Sequence, residues 1–162
     1  MGSKINNFSK QIDGITVTEL AQITDSRGSV LHMLRSDSDE YKGFGECYFS
    51  EILPGVVKAW KYHNSQAQNI AVPVGRIILV IYDNQAESPT YGNILKLELG
   101  RPDSYFRVYI PPKLWYGFSC ISNNPALLVN CADQPHDPND SKIINKDDNS
   151  IPFSWSSKNL AK

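Results

Sequence analysis

The chain is a succession of short apolar stretches, with ten glycines and ten prolines spread between them. Gly and Pro are the strongest local punctuators of a chain, and stretches cut this short suit strands rather than helices. Residues 15–20 alternate apolar and polar side chains, as do residues 94–99, which close at Gly100. Strict alternation is the strand period. Residues 77–82 are apolar without interruption, the pattern of a strand covered on both faces. Further stretches at 30–34, 47–53, 56–63, 106–110, 114–120 and 126–131 are rich in β-branched and aromatic residues. They recur at roughly 8–12-residue spacing with turn residues between them, which predicts an all-β sandwich or barrel. No window of ten or more residues keeps the 3.6 period of a helix.

A length of 162 residues fits one domain with a real core. Three segments are expected: an N-terminal arm at 1–13, the β body at 14–131, and an irregular wrapping segment at 132–162. The last is rich in Asp, Asn, Pro and Ser, with Ile151, Phe153 and Trp155 as an apolar anchor. Lys plus Arg number 16 against 17 for Asp plus Glu, so no bulk field draws in nucleic acid or anionic membrane. No apolar run approaches the ~18–20 residues that cross a bilayer. The start lacks an apolar signal core, which predicts a cytoplasmic location. Cys47, Cys120 and Cys131 are odd in number and form no Cys-x-x-Cys, so neither a disulfide framework nor a thiolate zinc site is expected. Cys120 and Cys131 sit in apolar runs and read as buried thiols in a reducing compartment.

One spacing carries chemistry. Gly55, Lys61, His63, Gln68 and Gly75 fall on the frame of the cupin metal motif, with Lys61, His63 and Gln68 at the positions of His, His and Glu. Pro111-Pro112-Lys113-Leu114-Trp115-Tyr116 fills the second half, with Tyr116 in place of its His. A double-stranded β-helix would bring these two segments to one end of the barrel. Lysine repels divalent metals, and only His63 of the four ligands remains, so no metal is expected.

The chain resembles the metal-free cupins of the dTDP-4-dehydrorhamnose 3,5-epimerase family. The matching pieces are Asp25-Ser26-Arg27-Gly28, the stretch from Gly55 to Lys61, Ser88-Pro89-Thr90-Tyr91-Gly92, the stretch from Ile110 to Phe118, and the close at Ile151 to Trp155. The resemblance implies an all-β jelly roll, a homodimer, no cofactor, and a nucleotide-linked 4-keto-6-deoxyhexose as ligand. It implies proton removal next to the ketone, an enolate, and proton return, with the substrate's own carbonyl as electron sink. The family's general base, a His, falls at Lys61. Its Tyr acid falls near His136, its enolate-steadying Lys at Gln68, and a pocket His at Tyr116. Lys61, His136 and Tyr116 are therefore the candidate catalytic set. Arg27, Lys58, His63, Gln68, Glu46 and Tyr48 are the candidate substrate-binding set.

Each replacement has a chemistry of its own. A lysine, with an ordinary pKa of about 10.4, is protonated near neutrality and suits enolate stabilisation better than proton abstraction unless its surroundings lower that value. Histidine titrates near neutrality and can serve as base or acid. Two readings stay open: a nucleotide-sugar epimerase or isomerase acting by α-proton transfer, and a catalytically silent cupin that binds a sugar nucleotide or a partner enzyme.

Overall fold

The computed structural model describes residues 11–161, so most of the arm expected at 1–13 lies outside the described residues. Two five-stranded antiparallel sheets face each other, and a two-stranded hairpin stands apart. In chain order the strands are β1 (Thr16–Glu19), β2 (Gln22–Asp25), β3 (Gly28–Leu31), β4 (Glu46–Ile52), β5 (Val57–His63) and β6 (Gln68–Val74). They continue with β7 (Arg76–Tyr82), β8 (Ile94–Gly100), β9 (Phe106–Ile110), β10 (Trp115–Cys120), β11 (Ala126–Ala132) and β12 (Ser141–Ile143), before a single helical turn, α1 (Ser157–Leu160). One sheet runs β1-β9-β6-β11-β4 and the other β12-β5-β10-β7-β8; β2 and β3 form the hairpin. The all-β jelly roll expected from the sequence is the observed architecture.

The uninterrupted apolar run at 77–82 is β7, and it is buried on both faces as its composition requires. Ile77, Leu79 and Ile81 enter the core between the sheets, with Ile52, Ile70, Leu95, Val108, Ile110 and Leu128. Ile78, Val80 and Tyr82 point the other way, under a strap made by the C-terminal segment. Ile151 and Trp155 of that strap are buried against Trp60, which has no exposed surface. The Trp60 ring lies 5.0 Å from Trp155 and 6.1 Å from Phe153, and its indole N–H donates to the Lys146 carbonyl at 3.2 Å. Burying aromatic rings of this size dominates the energetics of a small β core. The segment after residue 132 is not wholly irregular: β12 extends the second sheet, pairing Ser141 with His63 and Ile143 with Lys61.

Several strands had weak sequence signals. β6 opens on Gln68-Asn69 and contains Pro73, yet it is a central strand. Pro73 is tolerated because pairing with β9 ends at Ile70 and the register with β11 shifts beside it. β2, β3 and β12 are too short and too exposed to show a buried face. Cys120 is buried as expected, but Cys131 is only half-buried. It lies opposite Cys47 across β4 and β11, with the sulfurs 3.3 Å apart as free thiols.

The Ser88-Pro89-Thr90-Tyr91-Gly92 segment has a structural explanation. Asp83 is fully buried and accepts hydrogen bonds from the Ser88 and Thr90 hydroxyls and the Gln85 backbone N–H. Those bonds hold its carboxyl below the usual range against the opposing effect of burial. The motif clamps the β7–β8 connection.

The fold's most consequential irregularity lies between β5 and β10. Tyr116 pairs with Lys61 and Phe118 with Lys58, so Ala59 and Trp60 together face Gly117 alone. This is a β-bulge. The backbones approach so closely there that a Cβ on Gly117 would sit 2.4 Å from the Ala59 Cβ. Gly117→Ala should therefore destabilise the fold by about 1–3 kcal/mol, the usual cost of overpacking a tight site. A urea titration following Trp fluorescence measures it; a midpoint equal to that of the unsubstituted chain would show the contact is not tight.

Candidate active site

The bulge determines which side chains face inward. In a regular strand, residues three apart point to opposite faces. With one extra residue between them, Lys58 and Lys61 both line the same cavity, which Ala59 and Trp60 also border, while the Trp60 ring packs into the cluster beneath the strap. The cavity has a volume of about 300 Å³ and lies between the two sheets. Lys58, Lys61, Tyr116 and Phe118 form the wall on the β5–β10 side. Tyr48, Ser50, Leu128 and Asn130 form the facing wall, on β4 and β11. Ile70 and Ile143 complete an apolar lining into which a few polar groups project. That mixture is typical of small-molecule sites.

Lys61 and Tyr116 are direct cross-strand partners. Such pairs bring their Cβ atoms to roughly 4.5–5.5 Å, so both functional groups serve one region of the cavity. Lys58 donates to the Ser50 hydroxyl at 2.9 Å and to the Glu51 carbonyl at 2.7 Å. On the facing wall, the Asn130 amide donates to the Tyr48 hydroxyl at 2.9 Å and to the Gln68 side-chain Oε1. Gln68 in turn donates to Gln66, and Gln66 to the Gln134 carbonyl. Gln68 thus sits behind the wall and orients Asn130. Burial and the Glu46 charge raise the Tyr48 pKa, against the lowering effect of Asn130, so Tyr48 is a neutral phenol.

Behind the opposite wall, His63 is buried, with 4% of its surface exposed. Its Nδ1 lies 3.1 Å from Asp140 Oδ2, and its Nε2 lies 3.3 Å from the Tyr116 hydroxyl. Asp140 accepts from the Ser65 backbone N–H at 2.8 Å, the Ser65 hydroxyl at 2.6 Å and the Gln66 N–H at 3.3 Å. Burial works against its ionised form, but these bonds hold its carboxyl below the usual range. Burial chiefly, with the charges of Lys61 and His136, holds His63 below its ordinary value, although Asp140 opposes the shift. Tyr116 is pushed upward by its complete burial.

The structure thus gathers Lys58, Lys61, Tyr48 and Tyr116 at one cavity and sets His63 and Gln68 directly behind it. Three expected site residues lie elsewhere. His136 is exposed on the loop after β11 and does not line the cavity, because that loop runs outward before Asp140 returns to β5. Arg27 caps the β2–β3 hairpin, with 87% of its side chain exposed and paired to Asp25 at 2.6 Å. A pocket gathering Arg27 with Lys58 and Lys61 is therefore not formed within one chain. Glu46 is half-buried at the start of β4 and acts on the site only through its charge near Tyr48. Sequence reasoning missed Asn130 and Asp140. Asn130 lay inside an apolar strand signal, and Asp140 is drawn to His63 only once β12 pairs with β5. Among the described residues, no three His, Cys, Asp or Glu side chains converge as a metal would need.

The profile of the dTDP-4-dehydrorhamnose 3,5-epimerase family matches residues 9–162. The chain belongs to the dTDP-4-dehydrorhamnose 3,5-epimerase family. It is 35% identical over 144 residues to a Haloferax volcanii protein described as "Probable low-salt glycan biosynthesis epimerase Agl13", covering 88% of each chain. It is 30% identical over 149 residues to the spore coat polysaccharide biosynthesis protein SpsL of Bacillus subtilis, covering 91% of this chain and 98% of that one. The crystal structure of a dTDP sugar isomerase from Desulfovibrio desulfuricans G20 superposes with a TM-score of 0.90 at 48% identity, covering 93% of this chain and 96% of the other. Within this epimerase family, the present chain has a lysine and a tyrosine as cross-strand neighbours at the cavity, with a His–Asp pair behind them.

The lowered His63 value has a consequence for stability. Its neutral form is favoured in the fold, so the unfolded chain binds more protons as pH drops through histidine's ordinary value of about 6.5. Stability should decline from pH 7 to 5.5, above the carboxylate range. Urea midpoints across that window should show the decline in the natural chain and a shallower one in His63→Gln.

Proposed function

We propose that this chain is an epimerase or isomerase acting on a nucleotide-linked 4-keto-6-deoxyhexose in deoxysugar synthesis for glycans. Proton removal and return occur at a carbon next to the ketone. The observation that carries this reading is the pairing of Lys61 with Tyr116 on one cavity wall, opposite Tyr48 on the other. The reaction needs a stabiliser for a developing enolate and proton-transfer groups on two sides of the sugar. The Lys61 ammonium in an apolar cavity supplies the first, and electrostatic stabilisation of this kind is worth most where water is excluded. Tyr116 and Tyr48, on facing walls, supply the second. Lys58, near exposed surface, offers a cation for the diphosphate. Membership of the epimerase family and the epimerase description of the Haloferax volcanii relative support the same chemistry over a silent binding role.

Homodimerisation belongs to the proposal. Ile23 and Val30 on the hairpin and Phe49 on β4 are 59%, 62% and 65% exposed, apolar area that a second copy would cover. A cytoplasmic location fits the three free thiols. No helix of the described residues is long and apolar enough to cross a membrane.

Incubation with dTDP-4-keto-6-deoxyglucose in D2O, followed by NMR at C3 and C5, tests the reaction. Deuterium should enter at one or both carbons, and Lys61→Met should slow entry by about 10²–10³-fold. Bound nucleotide with no exchange across dTDP-, UDP- and GDP-linked keto-sugars would restore the silent binding reading. Sedimentation should report a dimer for the natural chain and a shift toward monomer for the Ile23→Ser, Val30→Ser double variant. A monomer in both would remove the dimer from the proposal.

A further inference from the structure

We propose that Asp140, His63 and Tyr116 form a proton relay that makes the Tyr116 phenol the base at the cavity. This rests on the reading of the cavity as a keto-sugar site. Tyr116 lines the cavity; His63 and Asp140 do not. His63 therefore reaches a substrate only through the Tyr116 hydroxyl, which lies 3.3 Å from its Nε2.

The direction of the chain of hydrogen bonds is fixed from its far end. The Asp140 carboxylate only accepts, and the Ser65 and Gln66 groups already donate to it. The Nδ1 atom of His63 must therefore carry the proton that bridges to Asp140. In the neutral imidazole, Nε2 is then a bare acceptor, and the Tyr116 phenol is its hydrogen-bond donor. The buried His63 is held neutral, with burial first, then Lys61 on β5 and His136 on the loop after β11, disfavouring its cation and Asp140 favouring it.

A buried phenol is a poor base by itself, because its own proton is hard to lose. The relay removes that obstacle. The substrate C–H bond breaks and its electron pair enters the enolate, whose oxygen faces the Lys61 ammonium. The released proton binds the Tyr116 oxygen as the original phenolic proton passes to His63 Nε2. The imidazolium so formed is balanced by Asp140. The reverse shift through Tyr116 restores the original face; inversion takes its proton from the Tyr48 phenol on the facing wall. The Tyr48 phenolate and His63 imidazolium so left are reset by exchanging one proton each with solvent, so none is consumed overall. Tyr116 is the catalytic residue here; His63 and Asp140 are positioning residues that act through it.

The test follows deuterium exchange against pH in the full-length chain, for the natural sequence, Tyr116→Phe, His63→Gln, their double variant, and Asp140→Asn. Tyr116→Phe and His63→Gln should each slow exchange by about 100-fold or more, and the double variant should be no slower than the worse single one. Exchange in the natural chain should fall at acid pH as Nε2 becomes protonated. Asp140→Asn removes the group that favours the imidazolium, so its acid limb should move to lower pH. A merely structural Asp140 would lower the rate at every pH without moving that limb. Natural-rate exchange in His63→Gln, or an unmoved limb in Asp140→Asn, overturns the relay while leaving the epimerase reading intact. No exchange by the natural chain overturns both. Imidazole 15N shifts give a check independent of turnover: at pH 7.5 His63 should be protonated at Nδ1 alone, and an Nε2–H tautomer would overturn the relay.

Discussion

The active cavity depends on one extra residue in β5. The bulge opposite Gly117 divides the strand into two phases. Its middle sends the Trp60 indole outward, where Phe153 and Trp155 cover it, and both flanking lysines turn inward. A regular strand with the same sequence would place Lys58 and Lys61 on opposite faces. One ammonium would then be left beneath the strap, in an apolar layer where an unpaired charge is costly. The tight contact of Ala59 with Gly117, the aromatic cluster outside and the positive cavity inside are three aspects of one backbone feature.

The walls differ in how their polar groups are supported. On the β4–β11 side, Tyr48 and Asn130 belong to a neutral chain of amides that continues through Gln68 and Gln66 to a backbone carbonyl. On the β5–β10 side, Tyr116 leans on an imidazole and a carboxylate. Two phenols that look alike in sequence thus have different proton chemistry. Tyr48 accepts a hydrogen bond from an amide, whereas Tyr116 is paired with an imidazole able to hold a charge. That asymmetry suits a reaction in which a proton leaves one face of a carbon and arrives on the other.

Much of this is legible in the sequence. The alternation at 15–20 and 94–99 and the solid run at 77–82 correspond to β1, β8 and β7, because each strand's burial matches its composition. The frame from Gly55 to Gly75 located Lys61, His63 and Gln68 near one another, since it spans two strands and their connection. What escaped was whatever depends on partners distant in the chain. Asn130 reads as an interruption of an apolar strand until Tyr48 and Gln68 flank it. Asp140 reads as one acid among many in a polar segment until β12 sets it against His63. His136, a better residue for proton transfer on type alone, is on the outer side of the same loop. The Ser-Pro-Thr-Tyr-Gly motif was distinctive for the family, yet it serves the buried Asp83.

Trp60 is joined to Lys61 by a single peptide bond, so the strap and the cavity share a lever. The rings of Phe153 and Trp155 press on the outer end of it, and the ammonium occupies the inner end. Trimming one of those rings would let the indole settle and carry the charge with it, with no cavity-lining side chain altered. Changes some ninety residues downstream of the lysine can therefore reach its ammonium from outside the cavity.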